Sequence, residues 1–283
     1  MSGIRPFVVM SLLLLRPAPV ATQAATLSPA PSSAIGEAAV RPVAATSGVQ
    51  ARYDGSALGL PVMRVESAFA IDRDSYHAEI SFSTVGLLSV FVRSLMHDDV
   101  RGAWSGDSPA PAQFRSWGTL RGDTRRTLID YVAGAPLVRQ LDPPNEGERE
   151  TVPEESRGGT VDMLSAAASL VRRADRTGRC DGVALVFDGR RLTEIRAETV
   201  GLVHPSPGDA GPWLGATLLC RFVGRQLAGF RNDDADWARE PHEGAAWLAR
   251  AVPGGPMIPV RLKFETRWVG SVTLVLREAT PVP

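Results

Sequence analysis

The sequence lacks the short motifs by which many enzymes are identified. It has no Gly-x-Ser-x-Gly nucleophile elbow, no phosphate-binding loop that ends in lysine, and no second histidine at zinc spacing from His242-Glu243. From the sequence we therefore predict no catalytic residue, no metal ligand and no cofactor. An enzyme is the less favoured functional interpretation.

An excess of one charge sign and long apolar runs are also missing. The formal net charge is +0 at pH 7, so no overall field attracts nucleic acid, and we exclude a nucleic-acid partner. The apolar stretch at residues 7–15 is shorter than the roughly 20 residues that a membrane-spanning helix needs. We therefore predict no transmembrane anchor once the N-terminal signal is removed.

The N-terminus is typical of an export signal. Arg5 precedes the apolar stretch, and small residues at 22–24 suit cleavage after Ala24. We predict a signal peptide at residues 1–24, a disordered linker rich in Ala, Pro and Ser at residues 25–48, and a periplasmic or secreted location. The alternative is a disordered arm on a cytosolic protein.

Residues 49–283 are expected to form a single β-rich domain. Apolar and polar residues alternate along residues 63–71 and 76–83, and Gly-containing turns separate further short strands. This pattern predicts a mainly β fold, namely a strongly curved antiparallel sheet or partly open β-barrel with one or two short helices. Apolar residues at helical spacing predict a helix over residues 162–174 that plugs the barrel.

The segment at residues 142–160 interrupts the strand pattern. Three prolines stand there among acidic residues and glycines, a composition typical of a solvated loop. We expect a flexible acidic insert. Because loop-closure entropy changes slowly with length, we expect that deletion of residues 145–157 shifts the melting temperature by only a few degrees.

A β-hairpin is predicted around Asp188-Gly189. A three-residue loop would place Val183 and Leu185 on the face of Ile195, which is more apolar than the face that a two-residue loop would give. We therefore favour three residues. The charged tip is either a recognition site or a solvated hairpin end, and we prefer the solvated end; its residues are Asp188, Arg190 and Arg191.

The sequence contains two cysteines, Cys180 and Cys220. In an exported protein, two cysteines are most simply a disulfide. We predict a bridge between neighbouring strands of the sheet. Two buried free thiols are the alternative.

Three consecutive residues could each supply a metal ligand: His97, Asp98 and Asp99. Successive side chains of a strand point to opposite faces, so the three could not converge on one ion. We interpret them, and His242-Glu243, as surface polar residues.

Several residues occur in an order that resembles a known family: Asp162-Met163-Leu164-Ser165, Cys180, Val186-Phe187-Asp188-Gly189-Arg190-Arg191, Cys220, Gly229-Phe230, Trp247-Leu248 and Pro259-Val260-Arg261. In this respect the chain resembles an exported bacterial domain-of-unknown-function family, number 3108, over about residues 53–276. The resemblance implies a β-rich envelope protein and brings no established activity. The insert at residues 142–160 departs from the family pattern.

Two functional hypotheses are compatible with these features. The first is a non-enzymatic binding or structural module of the cell envelope, whose apolar concave face holds a lipid-like ligand or an envelope protein. The second is an envelope hydrolase or transferase that uses carboxylates assembled by the fold, such as Asp98, Asp99 or Asp188. Convergence of carboxylates and a histidine in one pocket would favour the enzyme, and a dry apolar groove would favour the binding module.

Overall fold

The computed structural model describes residues 48–205, 213–233, 235–267 and 269–282. The predicted signal peptide, residues 1–24, lies outside the described residues. So does the predicted linker, residues 25–48, except for Gly48, with which the first strand begins.

Within the described residues, thirteen strands form one antiparallel sheet. The same residues form three α-helices: α1 (Leu88–Phe91), α2 (Met163–Thr177) and α3 (Ala235–Arg239). The predicted mainly β, strongly curved antiparallel fold is confirmed, and the sheet is nearly closed. The strands are β1 (Gly48–Ala57), β2 (Leu60–Ile71), β3 (Ser75–Thr84), β4 (Leu95–Ser105), β5 (Ser108–Leu120), β6 (Asp123–Val132), β7 (Ala135–Asp142), β8 (Gly182–Phe187), β9 (Leu192–Val203), β10 (Thr217–Ala228), β11 (His242–Ala249), β12 (Ile258–Thr266) and β13 (Gly270–Val282).

The strand order is almost entirely that of the sequence. It runs β7-β6-β5-β4-β3-β2-β1-β13-β12-β11-β10-β9-β8, so that β1 pairs with β13 and every other pair joins consecutive strands. Two meandering arms therefore meet at the β1–β13 pair, and β7 and β8 are the free edges of the sheet.

The alternating sequence pattern accounts for the two faces of the sheet. In β2, Val65 and Phe69 are buried on the concave face, whereas Glu66 is exposed on the outer face. The predicted pairing of β2 with β3 is confirmed, with Phe69 opposite Ala78. Since side chains alternate along each strand, this register places the apolar set of both strands in one core.

Helix α2 lies against the concave face, where the sequence predicted a plug. Asp162 caps its N-terminus by accepting a hydrogen bond from Ser165 N at 2.9 Å, and Gly178 ends it in a left-handed conformation (φ 66°). Leu164 and Ala168 pack into the same core cluster as residues of β2 to β6. The helix therefore fills part of the barrel interior.

Residues 143–161 pack across the gap between the free edges. Val161 forms a parallel bridge with Val186 of β8, and Glu150 N donates to Phe230 O at 2.9 Å. Val152 is only 2% exposed and belongs to the core cluster of α2. These contacts differ from the solvated insert expected at residues 142–160, and they make the segment part of the barrel wall.

The predicted three-residue hairpin loop is wrong. Phe187 pairs with Leu192, which leaves a four-residue loop and places Leu185 opposite Glu194. Val183 is consequently 57% exposed. The loop is longer because the Asp188 carboxylate accepts hydrogen bonds from the two main-chain N–H groups at positions 190 and 191, an alternative turn closure typical of Asp.

The predicted disulfide joins Cys180 and Cys220, with 6.1 Å between their α-carbons. The expectation that it links neighbouring strands is wrong, because β9 lies between β8 and β10. Cys180 precedes β8, and its N–H donates to Thr199 Oγ1 of β9 at 2.8 Å. That contact brings Cys180 over β9 and within reach of β10. Both cysteines lie in a core cluster with Ala174 of α2.

Candidate functional site

The concave face of the sheet is apolar, as expected, but other parts of the same chain cover much of it. Ala78, Phe114 and Ile129 of the sheet are buried in one cluster with Leu164 of α2 and Val152 of the segment 143–161. Of the other two core clusters, the one around the disulfide also contains Ala174 of α2, whereas the buried residues of the one at the β1–β13 pair come from strands and from the β11–β12 connection. A lipid-like ligand on this face would have to displace α2 or the segment.

The hairpin tip is held on both sides by other parts of the chain. Arg190 donates to Pro143 O at 2.8 Å and to Asn145 Oδ1 at 3.3 Å, and its own carbonyl lies against Gly229. Arg191 donates to Asp188 Oδ2 at 2.9 Å. Burial alone would raise the pKa of Asp188, but the charge and hydrogen bond of Arg191 outweigh it and lower that pKa. The tip is therefore held in the barrel wall, although the Arg191 side chain remains 51% exposed.

A polar cluster lies inside the barrel near the start of α2. Tyr76 Oη and Ser165 Oγ are 2.7 Å apart, and Ser165 Oγ also donates to the capping carboxylate of Asp162 at 2.6 Å. Asp98 lies within electrostatic range of this carboxylate, and its Oδ1 has no hydrogen-bond partner among the described residues. Burial, with the charges of Asp188 and Asp162, raises the pKa of Asp98 from 3.8 to about 6 against the opposing hydrogen bond of Ser116.

The raised pKa makes Asp98 a destabilising group at neutral pH. The folded state binds the Asp98 proton more tightly than the unfolded state does. The contribution of this carboxyl group to the free energy of unfolding therefore falls as the pH rises from about 4 through about 6, and it stays low at higher pH. We expect Asp98→Asn to stabilise the protein by about 1–3 kcal/mol at pH 7, because each pKa unit corresponds to about 1.4 kcal/mol. Urea denaturation from pH 4 to pH 8 measures the effect.

The Glu155→Gln substitution, at an exposed position, is the matched control for this measurement. The advantage of Asp98→Asn should disappear near pH 4, where the wild-type carboxyl is protonated. A constant difference between wild type and Asp98→Asn across the range would mean that Asp98 keeps an ordinary pKa.

The neighbours of Asp98 in the sequence point to the opposite face of β4. His97 stacks on Trp117 with 5.6 Å between ring centroids, and Asp99 accepts two hydrogen bonds from Arg115 at 2.6 and 2.5 Å. Asp98 therefore points away from His97 and Asp99, and Asp99, interpreted from the sequence as a surface residue, is buried at 5% exposure. His242 is also remote from them, stacked on Trp237 with 3.8 Å between centroids.

An open groove of about 300 Å³ follows the outer face of β1 to β5. Beside it, one ligand atom each of His77, Glu79 and Asp99 lie within 4.8 Å of one another. Arg115, however, engages both oxygens of Asp99, and His77 Nε2 lies 3.0 Å from Glu79 Oε1. Both carboxylate oxygens of Asp99 are therefore already bound by Arg115, and we assign the cluster to an ion-pair network.

One end of the barrel carries a group of exposed large apolar side chains. The β1–β2 turn, the β3–β4 connection with α1, and the β5–β6 turn contribute them. The most exposed are Leu58 at 94%, Phe91 at 84%, Val90 at 76% and Leu87 at 74%. We call this surface the apolar rim, and it consists of Leu58, Leu60, Leu87, Val90, Phe91, Leu95 and Leu120.

Hydrogen bonds fix the three connections of the apolar rim to one another. Val85 N donates to Val62 O at 3.1 Å, which holds the β3–β4 connection against β2. Gly122 N donates to Arg93 O at 3.0 Å, which holds the β5–β6 turn against the same connection. Leu88 of α1 meanwhile packs against the core cluster at the β1–β13 pair. The apolar side chains are therefore presented from a rigid base, so that little conformational entropy is lost when a partner binds.

Comparison with known proteins places this architecture in a family. The model of a family described as "Protein of unknown function (DUF3108)" matches residues 50–277. The chain belongs to this family. The resemblance seen in the sequence over about residues 53–276 is confirmed by the match. Comparison with curated proteins finds no match for this DUF3108 chain.

A solved structure shares the fold of this DUF3108 chain. It is the "Beta-barrel-like Protein of Domain of Unknown Function DUF1849 from Brucella abortus", with a TM-score of 0.51 and 13% sequence identity. The alignment covers 84% of this chain and 98% of the other. At this identity the similarity extends to the barrel-like fold and not to function.

The structure distributes the carboxylates predicted for an enzyme over two faces of the sheet. Asp98 and Asp188 interact across the interior of the DUF3108 barrel, whereas Asp99 lies on the outer face. The apolar rim was missed from the sequence. Its signal was the continuous apolar run at residues 86–92, which fits a buried strand or a short helix equally well.

Proposed function

We propose that this chain is an exported, non-enzymatic module of the cell envelope that binds a lipid surface through its apolar rim. The export part rests on the sequence of residues 1–24 and on the pairing of the two cysteines, which suits an oxidising compartment. Within the described residues, no helix combines the length and apolar character needed to cross a bilayer.

The observation that carries the proposal is the exposure of the apolar rim. Soluble proteins rarely leave several large apolar side chains side by side on one surface unless that surface contacts a partner or a membrane. Leu87, Val90 and Phe91 are all more than half exposed within five residues of sequence. Since the barrel interior is occupied by α2 and Val152, the rim replaces the concave face as the binding surface that we propose.

One observation favours the second candidate, an envelope hydrolase or transferase. Asp98 has a pKa raised to about 6, chiefly by burial, a pattern that is common among acid–base residues. Tyr131 Oη, like Asp98 Oδ1, has no hydrogen-bond partner in the described part of the chain. The rest of the cluster, namely Tyr76, Asp162 and Ser165, is buried against α2, however, so we rank this candidate second.

Partition into micelles of a neutral detergent tests the proposed lipid binding. We expect the wild-type protein to associate with the micelles, and we expect Leu87→Ser and Phe91→Ser each to weaken association by about tenfold, because each removes one large apolar side chain from the contact. Leu202→Ser is the matched control, since Leu202 is 75% exposed on β9, away from the rim. Equal losses in all three variants would show that the rim is not the binding surface.

A further inference from the structure

The segments that form the apolar rim carry basic residues and almost no acidic ones. Residues 55–65, 80–97 and 108–122 contain no Asp or Glu, although the chain as a whole has equal numbers of acidic and basic residues. Arg93 and Arg121 are both exposed and lie on neighbouring connections of the rim. The first carboxylate beyond them, Asp123, is 4.0 Å from Arg125. The rim is therefore apolar and locally cationic on a protein of zero net charge.

Two turns of the rim hold residues that turn geometry does not favour. Leu58 and Arg121 have φ angles of 51° and 58°, and each precedes a glycine in a two-residue hairpin loop. Asn, Asp or Gly adopts this left-handed conformation at lower cost, and such residues usually occupy the position. Leu58 also has no packing role, because it is 94% exposed. A bulky apolar and a basic side chain thus occupy turn positions that their backbone conformation does not favour, and packing does not select Leu58.

We infer that the apolar rim docks on an anionic lipid surface, with Leu58, Leu87, Val90 and Phe91 entering the interface and Arg93 and Arg121 contacting the acidic head groups. This inference rests on the proposed function and specifies the lipid class. Affinity for a membrane surface combines buried apolar area with attraction between basic side chains and anionic lipids, and the rim supplies both.

The strand geometry sets how the protein would lie on such a surface. The three rim connections lie at the same end of the barrel, because each joins the end of an odd-numbered strand to the start of the next strand in the meander. The β2–β3 and β4–β5 turns lie at the opposite end of the strands. We therefore expect this end of the barrel to contact the membrane, while the groove on the outer face of β1 to β5 remains exposed to water.

Flotation with vesicles of known composition tests the lipid class. We expect wild-type protein to bind vesicles that contain phosphatidylglycerol more tightly than vesicles of phosphatidylcholine alone, and high salt should reduce the difference because it screens the charges. Arg93→Gln and Arg121→Gln should each weaken binding to the anionic vesicles by about fivefold, and Phe91→Ser by about tenfold. Arg221→Gln on β10 and Leu202→Ser on β9 are the controls and should bind as wild type does.

Each outcome of this experiment is informative. Equal, salt-independent binding to both vesicle types that is lost in Phe91→Ser would overturn the anionic specificity and leave the proposed lipid binding intact. Absence of binding to either vesicle would overturn both. In that case, a concentration-dependent dimer that Phe91→Ser dissociates would assign the rim to a second copy of this chain. If the protein instead stays monomeric and binds an envelope protein, the rim would be the surface for a protein partner.

Discussion

Deletion of residues 145–157 is expected to destabilise the protein by about 3–5 kcal/mol. The deletion removes Val152, which is buried in the α2 core cluster, and the Glu150 N–H that pairs with Phe230 O. It also removes Glu148, which accepts two hydrogen bonds from Arg125 at 3.0 and 3.1 Å, and so leaves a largely buried guanidinium without its main partner. Thermal and urea denaturation of the deletion variant measure the loss.

Two point variants separate packing from loop length in this experiment. Val152→Ala should account for a large part of the loss, whereas Glu155→Ala, at an exposed position of the same segment, should change stability little. If the deletion variant melts within a few degrees of wild type, the insert is dispensable, as its composition suggests. The segment would then contact the barrel without supporting it.

Loss of the disulfide is expected to destabilise the protein by about 2–4 kcal/mol. The bridge closes a loop across a sequence separation of 40 residues, and the chain-entropy model assigns the upper part of this range to such a loop. Both cysteines are almost fully buried, so Cys220→Ala is a cleaner variant than one that introduces a hydroxyl group. Urea denaturation of Cys220→Ala and of wild type under oxidising conditions gives the difference.

Reduction of the wild-type protein provides the matched comparison. Wild type in dithiothreitol should lose about as much stability as Cys220→Ala, and the variant should not respond to the reductant. Thiol counting under denaturing conditions gives the redox state directly. Two free thiols in protein prepared from an oxidising compartment would contradict the bridge and weaken the case for export.

Much of the fold could be predicted from local patterns. Strands such as β3 and the helix α2 show clear periodicity, and Asp162 and Gly178 mark the helix ends by ordinary capping chemistry. The pairing of consecutive strands follows from short turns. These features depend on contacts between residues that are close in sequence, which is why a single sequence predicts them well.

The features that were mispredicted depend on distant contacts. The hairpin tip contacts Pro143 and Gly229, and local patterns could place neither residue beside it. The packing of Val152 likewise depends on α2 and β6. The apolar rim could not be predicted, because the sequence of an apolar run such as residues 86–92 does not show whether its side chains are buried or exposed.

The β1–β13 pair has a consequence for the order in which the chain can fold. Every other strand pair closes a connection of at most 13 residues, but this pair brings together the two ends of the domain, with Gly48 opposite Val282. Loop-closure entropy makes it the most expensive contact to form first, and a high share of such non-local pairing slows folding. During synthesis, β1 keeps an unpaired edge beside Val49, Ala51 and Tyr53 until β13 has emerged. Such an edge is prone to pair with other chains, so the last strand of the domain protects the first one from aggregation.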